Sequence, residues 1–318
     1  MQFRSLQVKL RRSKKAAFAK GTRKNLMRQW KSFLSFCLYF DLPWLPTDST
    51  TLALYAQFLA TSFKAKSSII SYISGVKTMH VLSDQPVDAF AATEIKLTVR
   101  GIARLNPHCP KQASPVTPDI LKAIYQLLDL SKAEHVAFWA LFVTAFFTFA
   151  RKGNLVITDR DSKPLRRCDM ELGNLGIMVT FHHTKTIQFG QRKLVVPLLA
   201  MPGSVLCPVN AYRSMVESIR ADSEGPAFVL PAGNDVSPIT YQQYQVFFRR
   251  CLERLGLPSM EFSTHSFRRG GASWAFRSGV PGELVKVHGD WLSDAYLRYL
   301  EFSVEQRLEV ARRMTLGM

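Results

Sequence analysis

Over the first hundred residues, apolar side chains return every three or four positions. From Thr22 to Phe40 the residues Leu26, Trp30, Phe33, Leu34, Cys37 and Leu38 recur at helical spacing, and Pro43 and Pro46 break the pattern. Thr47-Asp48-Ser49 can cap a second helix, striped by Leu52, Tyr55, Ala56 and Leu59. A third runs from Ser67 to Val81 through Ile70, Ile73, Val76 and Met79. A fourth, Asp88 to Leu105, sets Ile95, Val99, Ile102 and Leu105 on one side and Lys96, Arg100 and Arg104 on another. The expectation is a compact four-helix bundle with a basic face.

The segment from Asn106 to Pro118 carries Pro107, Pro110, Pro115 and Pro118 and breaks every periodicity, so it reads as a linker. Beyond it an amphipathic helix is expected over Pro118 to Leu130, followed by a very apolar one over Glu134 to Ala150. Gly176–Phe181 and Arg192–Val196 are rich in strand formers and predict a hairpin with Lys185 near its tip. Cys207 to Ser218 and Thr240 to Leu255 read as helices, with a Pro- and Gly-rich surface loop over 222–238 between them. The predicted fold is mainly α with a small antiparallel β-sheet. It divides into a basic arm (1–20), a helical domain (21–106), a linker (107–117) and a mixed α+β domain (118–318).

Charge adds a partner to this picture. Among 318 residues, 42 Lys+Arg face 24 Asp+Glu, a net charge of +18, which favours a polyanion, nucleic acid before membrane surface. Residues 1–31 hold eleven basic side chains and no acidic one. Such an arm can follow a phosphate backbone, or be a solvated tail; in a eukaryotic source Lys9 to Lys15 would also serve as a nuclear import signal. In any other source the expected place is the cytoplasm or nucleoid. Five cysteines without a CxxC pair point to a reduced, intracellular protein with no zinc module, and His182-His183 near Cys168 matches no common metal spacing. The longest uncharged apolar run, Val136 to Ala150, is fifteen residues, short of the roughly 20 that span a bilayer.

Candidate chemistry concentrates near the C-terminus. His265 and Arg268 lie on one face of a helical turn, and Tyr299 closes a later short helical segment. An arginine fork, a histidine and a tyrosine hydroxyl together suit chemistry on a phosphate. Arg151 follows a buried helix abruptly, although by itself it is equally a cation at a helix C-terminus. Lys185 by itself is equally a solvated edge-strand charge.

In the order Arg151, Lys185, His265-x-x-Arg268, Trp291 and Tyr299, the chain resembles the tyrosine recombinases, the phage integrase-like family. The stretches FARKGNL (149–155), HTKTIQFG (183–190) and GDWLSDAYLRYL (289–300) are most similar to the Crypton and DIRS-like transposon recombinases. The resemblance implies a helical core-binding domain and a catalytic domain acting on double-stranded DNA, with no cofactor and no metal. Arg151 and Arg268 would bind the scissile phosphate, Tyr299 would attack it, Lys185 would protonate the leaving oxygen and His265 would assist proton transfer. It also implies a tetramer on two DNA sites, linked through an amphipathic tail over Ser303 to Met314.

The chain departs from the family pattern in two places. Asn154 stands where an acidic residue is common, and the His/Trp position nine before the tyrosine falls on Asp290. A one-residue shift that lets Trp291 supply an indole N–H is the preferred account, with Asp290 and His288 as the other candidates. Tyr296 shares a helix face with Tyr299, but Arg298 just before Tyr299 matches the family and favours the latter. Two other readings stay open: a domesticated DNA-binding protein without catalysis, and a type IB topoisomerase-like enzyme.

Overall fold

The computed structural model describes residues 3–109, 111–300 and 304–316. Two compact units divide the chain, Met1–Lys111 and Gln112–Met318, each around its own apolar cluster. The division falls inside the proline-bearing segment, of which Pro110 lies outside the described residues, as does Ser303 at the head of the tail.

In the first unit the basic arm is itself a helix, α1 (Phe3–Ala16), an element the sequence reading did not foresee. Its fourteen residues contain neither Gly nor Pro, and Leu, Lys, Arg and Gln dominate, all good helix formers. Then come α2 (Lys20–Tyr39), α3 (Ser49–Ala60), α4 (Lys66–Leu82), a 3-10 turn over Asp88–Ala91, and α5 (Thr93–Leu105). Asp48 caps α3, its carboxylate accepting the Thr51 N–H at 2.7 Å. Trp30, Phe33, Cys37, Leu52, Tyr55, Ile73, Val76, Val99 and Ile102 meet in the core. On α4 the expected Ile73 and Val76 are buried, together with His80, but in the first turn Ile69 takes the buried place and Ile70 is exposed, because 69, 73, 76 and 80 keep closer to 3.6 residues per turn. Leu105, expected in the stripe, is exposed at the helix end.

The second unit is built on α7 (Ala133–Thr148), whose side chains are nearly all buried, and which follows α6 (Pro118–Leu127). A single turn, α8 (Lys152–Leu155), comes next. The expected hairpin is part of a three-stranded antiparallel sheet in the order β1 (Met170–Leu172), β2 (Gly176–Phe181), β3 (Leu194–Leu199), with Val179 opposite Val196. After α9 (Pro208–Ser218), the segment read as a loop contains a second hairpin, β4 (Val229–Ala232) and β5 (Asp235–Pro238), turning at Gly233, where φ is +62°. Helices α10 (Tyr241–Arg254), α11 (His265–Arg277), α12 (Gly282–His288) and α13 (Val304–Leu316) complete the unit.

Two contacts fix α11. A Cβ at Gly270 would collide with the Val116 carbonyl, and one at Gly271 with the Phe146 carbonyl and the Phe149 ring. The adjoining residues of the predicted linker pack here too: the Ser114 and Val116 N–H groups donate to Glu261 and Ser266, and Val116 is fully buried. Gly271→Ala therefore forces α11 away from α7 against backbone that cannot yield, at a cost of about 1–3 kcal/mol. Denaturant unfolding should show a lower midpoint with an unchanged slope.

Candidate active site

Helix α7 ends because Phe149 adopts a left-handed backbone, φ +50°, rare for a bulky side chain. That turn aims the Phe149 carbonyl at Arg268, which is 2% exposed on α11. Arg268 donates through Nη1 to the Phe149 oxygen and through Nη2 to the Gly289 oxygen at 2.7 Å. Its guanidinium carbon lies over the Trp291 ring, 3.7 Å from the centroid. Burial first, and then the nearby Arg151 charge, push Arg268 down to about 9, against the pull of Tyr299 and Asp290. The group stays cationic at neutral pH, held by two carbonyls and an indole ring.

Arg151 follows directly on this turn, capping α8 without a side-chain bond of its own. Its side chain is a quarter exposed, and Nη1 lies 3.9 Å from Asp290 Oδ2. Burial lowers its pKa, while Asp290 and Tyr299 oppose the shift.

Tyr299 ends a 3-10 segment, Asp294–Tyr299, and its backbone carbonyl accepts the Ser273 hydroxyl at 2.7 Å. The phenol oxygen lies 2.7 Å from His265 Nε2, and the ring sits 5.5 Å from that of Trp291. Tyr296 goes elsewhere: it is buried among Phe149, Ala272, Val285 and Trp291. Desolvation by the surrounding protein, followed by Arg268, Arg151, Arg269 and Lys152, lowers His265 to about 4. The residue keeps solvent contact, so water screens these charges in part, but both effects act in one direction. A neutral imidazole leaves Nε2 free to accept the Tyr299 O–H.

The unfolded chain takes up a proton near 6.5 that folded His265 takes up only near 4. The contribution of this residue to stability is therefore complete above about 6.5, falls as the pH drops through that window and levels off below about 4. In an NMR titration with ring-labelled histidine, the His265 signal should stay neutral at pH 6. A midpoint near 6.5 would contradict this environment.

Lys185 differs from the rest. Its side chain is exposed and pairs with no carboxylate among the described residues, while its carbonyl accepts Gln188 Nε2 at 2.7 Å. What connects it to the arginines is its flanks. Thr184 Oγ1 donates to Asp290 Oδ2 at 2.6 Å, Thr186 Oγ1 donates to the same oxygen, and Arg192 Nη2 donates to Oδ1. Asp290 is 5% exposed, in a left-handed conformation with φ +56° that aspartate tolerates. Burial raises its carboxyl, but the bonds from Thr184, Thr186 and Arg192 outweigh this and hold it below its ordinary value.

This arrangement gives each of the three candidates at the departure a place. Trp291 lies with its ring against Arg268, and Gly289 makes room for it, since a Cβ there would strike the ring. His288 is turned away, its Nε2 2.8 Å from the Phe147 carbonyl. Asp290 is at the pocket, its charge engaged by Arg192 and close to Arg151. Thr184, Thr186 and Arg192 were not singled out from sequence. The alternation Thr-Lys-Thr was their only local signal, and the carboxylate they bind lies about a hundred residues away.

Neither a family model nor a curated protein matches the sequence. Solved structures do. The XerH site-specific recombinase bound to palindromic difH substrate superposes with a TM-score of 0.58 at 15% identity, covering 83% of this chain and 69% of that one. The Tn1549 transposon integrase in complex with transposon right end DNA gives 0.58 at 12%, covering 84% and 85%. A lambda integrase dimer bound to a COC' core site gives 0.54 at 16%, covering 93% and 76%. At such identities the likeness is one of fold: this chain has the fold of the tyrosine recombinases and integrases.

Proposed function

We propose that the protein is a site-specific recombinase or integrase that cuts and rejoins DNA strands through a 3′-phosphotyrosyl intermediate. One observation carries the reading: the Tyr299 hydroxyl rests on a neutral His265 beside two guanidinia, one of them held by two carbonyls and an indole ring. The non-bridging oxygens of a phosphodiester suit Arg151 and Arg268, whose charges match what accumulates in the transition state. Tyr299 Oη attacks phosphorus as its proton passes to His265. The bond from phosphorus to the 5′ oxygen breaks, and Lys185 supplies the proton that makes it a hydroxyl. One phosphodiester is exchanged for another, so a 5′-hydroxyl can reverse the step without nucleotide hydrolysis.

Exposed cations on α1, α2 and α5, Lys96, Arg100 and Arg104 among them, support double-stranded DNA as partner, and binding should weaken steeply with salt. In α13 the apolar side chains Val304, Leu308 and Met314 are exposed, which favours docking on another copy in a tetramer on two DNA sites. In a eukaryotic cell this function belongs in the nucleus. Asp290 was the argument for a DNA-binding protein without catalysis, and the bonds that engage its carboxylate remove much of that argument's force.

The test uses nicked duplexes of randomised sequence, from which detergent-stable adducts are recovered and sequenced. Wild-type protein should enrich a defined duplex; no adduct from any of the pool would overturn the reading. On that duplex Lys185→Ala should slow adduct formation about 10²- to 10⁴-fold, the usual worth of a general acid. Replacing the 5′ bridging oxygen by sulfur, which leaves without a proton, should restore the rate.

A further inference from the structure

Asp290 has no role in the chemistry just described, yet it is among the most heavily bonded side chains of the site. A buried carboxylate is tolerated only when donors fill its lone pairs. Here the donors come from one segment, Thr184, Thr186 and Arg192, with Arg151 at the fourth side. The connection between β2 and β3 that holds them has no regular secondary structure over 182–193. Its order comes from a tight turn, in which Thr184 Oγ1 accepts the Thr186 and Ile187 N–H groups, each at 3.1 Å, and from Ile187, which is fully buried.

The residue before Asp290 faces the other way: the Gly289 carbonyl holds Arg268. Two consecutive residues thus grip the phosphate-binding arginine and the lysine loop. We propose that Asp290 is a positioning residue that fastens the Lys185-bearing loop to the arginine pocket and so sets the reach of the Lys185 ammonium to the leaving oxygen. The proposal rests on the strand-joining reading above. Lysine carries a long, rotamer-rich side chain, so its placement depends on a backbone fixed on both sides. Thr184 and Thr186, one on each side, are both fastened to a single oxygen of Asp290.

The consequence is a signature that plain destabilisation would not give. With the full chain in single turnover, Asp290→Ala should slow adduct formation on the enriched phosphodiester about 10²-fold, the scale of a 1 Å misplacement. On the duplex with bridging sulfur, where no general acid is needed, it should run close to wild type. Adding Asp290→Ala to Lys185→Ala should slow the reaction no further, because the two act through one ammonium. Asp290→Asn should recover part of the rate, since its amide oxygen still accepts a hydroxyl and Asn tolerates the left-handed backbone. If Asp290→Ala fails to fold, Thr186→Val removes one donor at nearly constant shape and should give the same sulfur-rescued loss. Equal losses on both duplexes, or additive losses in the double variant, would overturn the role of Asp290 while leaving the recombinase reading intact. Absence of any wild-type adduct would instead overturn the reading on which it rests.

Discussion

Tyr299→Phe should fold, bind DNA with wild-type affinity and form no covalent adduct. The substitution removes only the hydroxyl, which bonds His265 and also Arg268, so the cost in stability is that of two hydrogen bonds at most, about 1–3 kcal/mol. The ring keeps its place beside Trp291, and Ser273 still bonds the main chain at 299. Tyr296 cannot take over. It is buried with Phe149 and Val285, and moving its hydroxyl to the arginines would empty that cluster. Tyr296→Phe should accordingly keep the adduct. Gel analysis in detergent checks both variants side by side.

Arg268→Lys should lose about 10²- to 10³-fold in the rate of adduct formation, the range seen when one transition-state donor is removed. The charge survives but the fork does not: one ammonium cannot bond the Phe149 and Gly289 carbonyls, cover the Trp291 ring and still present donors to a phosphate. Arg268→Ala should do worse, because it leaves two buried carbonyls without their donor and also lowers stability. Single-turnover rates and thermal unfolding together separate these effects. The lysine variant should lose far more rate than stability.

The residues whose chemistry is local were legible. His265 and Arg268 sit one helical turn apart, so their shared face follows from spacing. The apolar run at Val136–Thr148 announced the helix that carries the Phe149 turn. The first hairpin was visible in its β-branched strands. The second was missed, because Val229–Ala232 is short and Pro-bearing, although Gly233-Asn234 is a turn signal. Helix α1 is hidden for a different reason: eleven basic side chains over 1–31 give the look of a charged arm, although no helix breaker falls between 3 and 16.

The departure at 290 could not be resolved from sequence, since it depends on partners brought from 184–192 by the sheet. Nine positions before the tyrosine stands a carboxylate where the family pattern has a donor, which suggests a shift to Trp291. Folding gives both residues a place, Trp291 under Arg268 and Asp290 against the threonines. Spacing shows which residues can share a helix face, but not which loop a buried charge will capture.

In the proposed reaction Tyr299 becomes bonded to the 3′ phosphate of a cleaved DNA strand. Wild-type adduct trapped on the enriched nicked duplex, digested with protease and nuclease, gives a peptide whose mass and fragmentation locate the nucleotide. The expected result is a single modified peptide, with the phosphate on Tyr299 and a free 5′-hydroxyl on the released strand. A nucleotide on Tyr296 or any other residue, or a 5′-phosphate linkage, would contradict it.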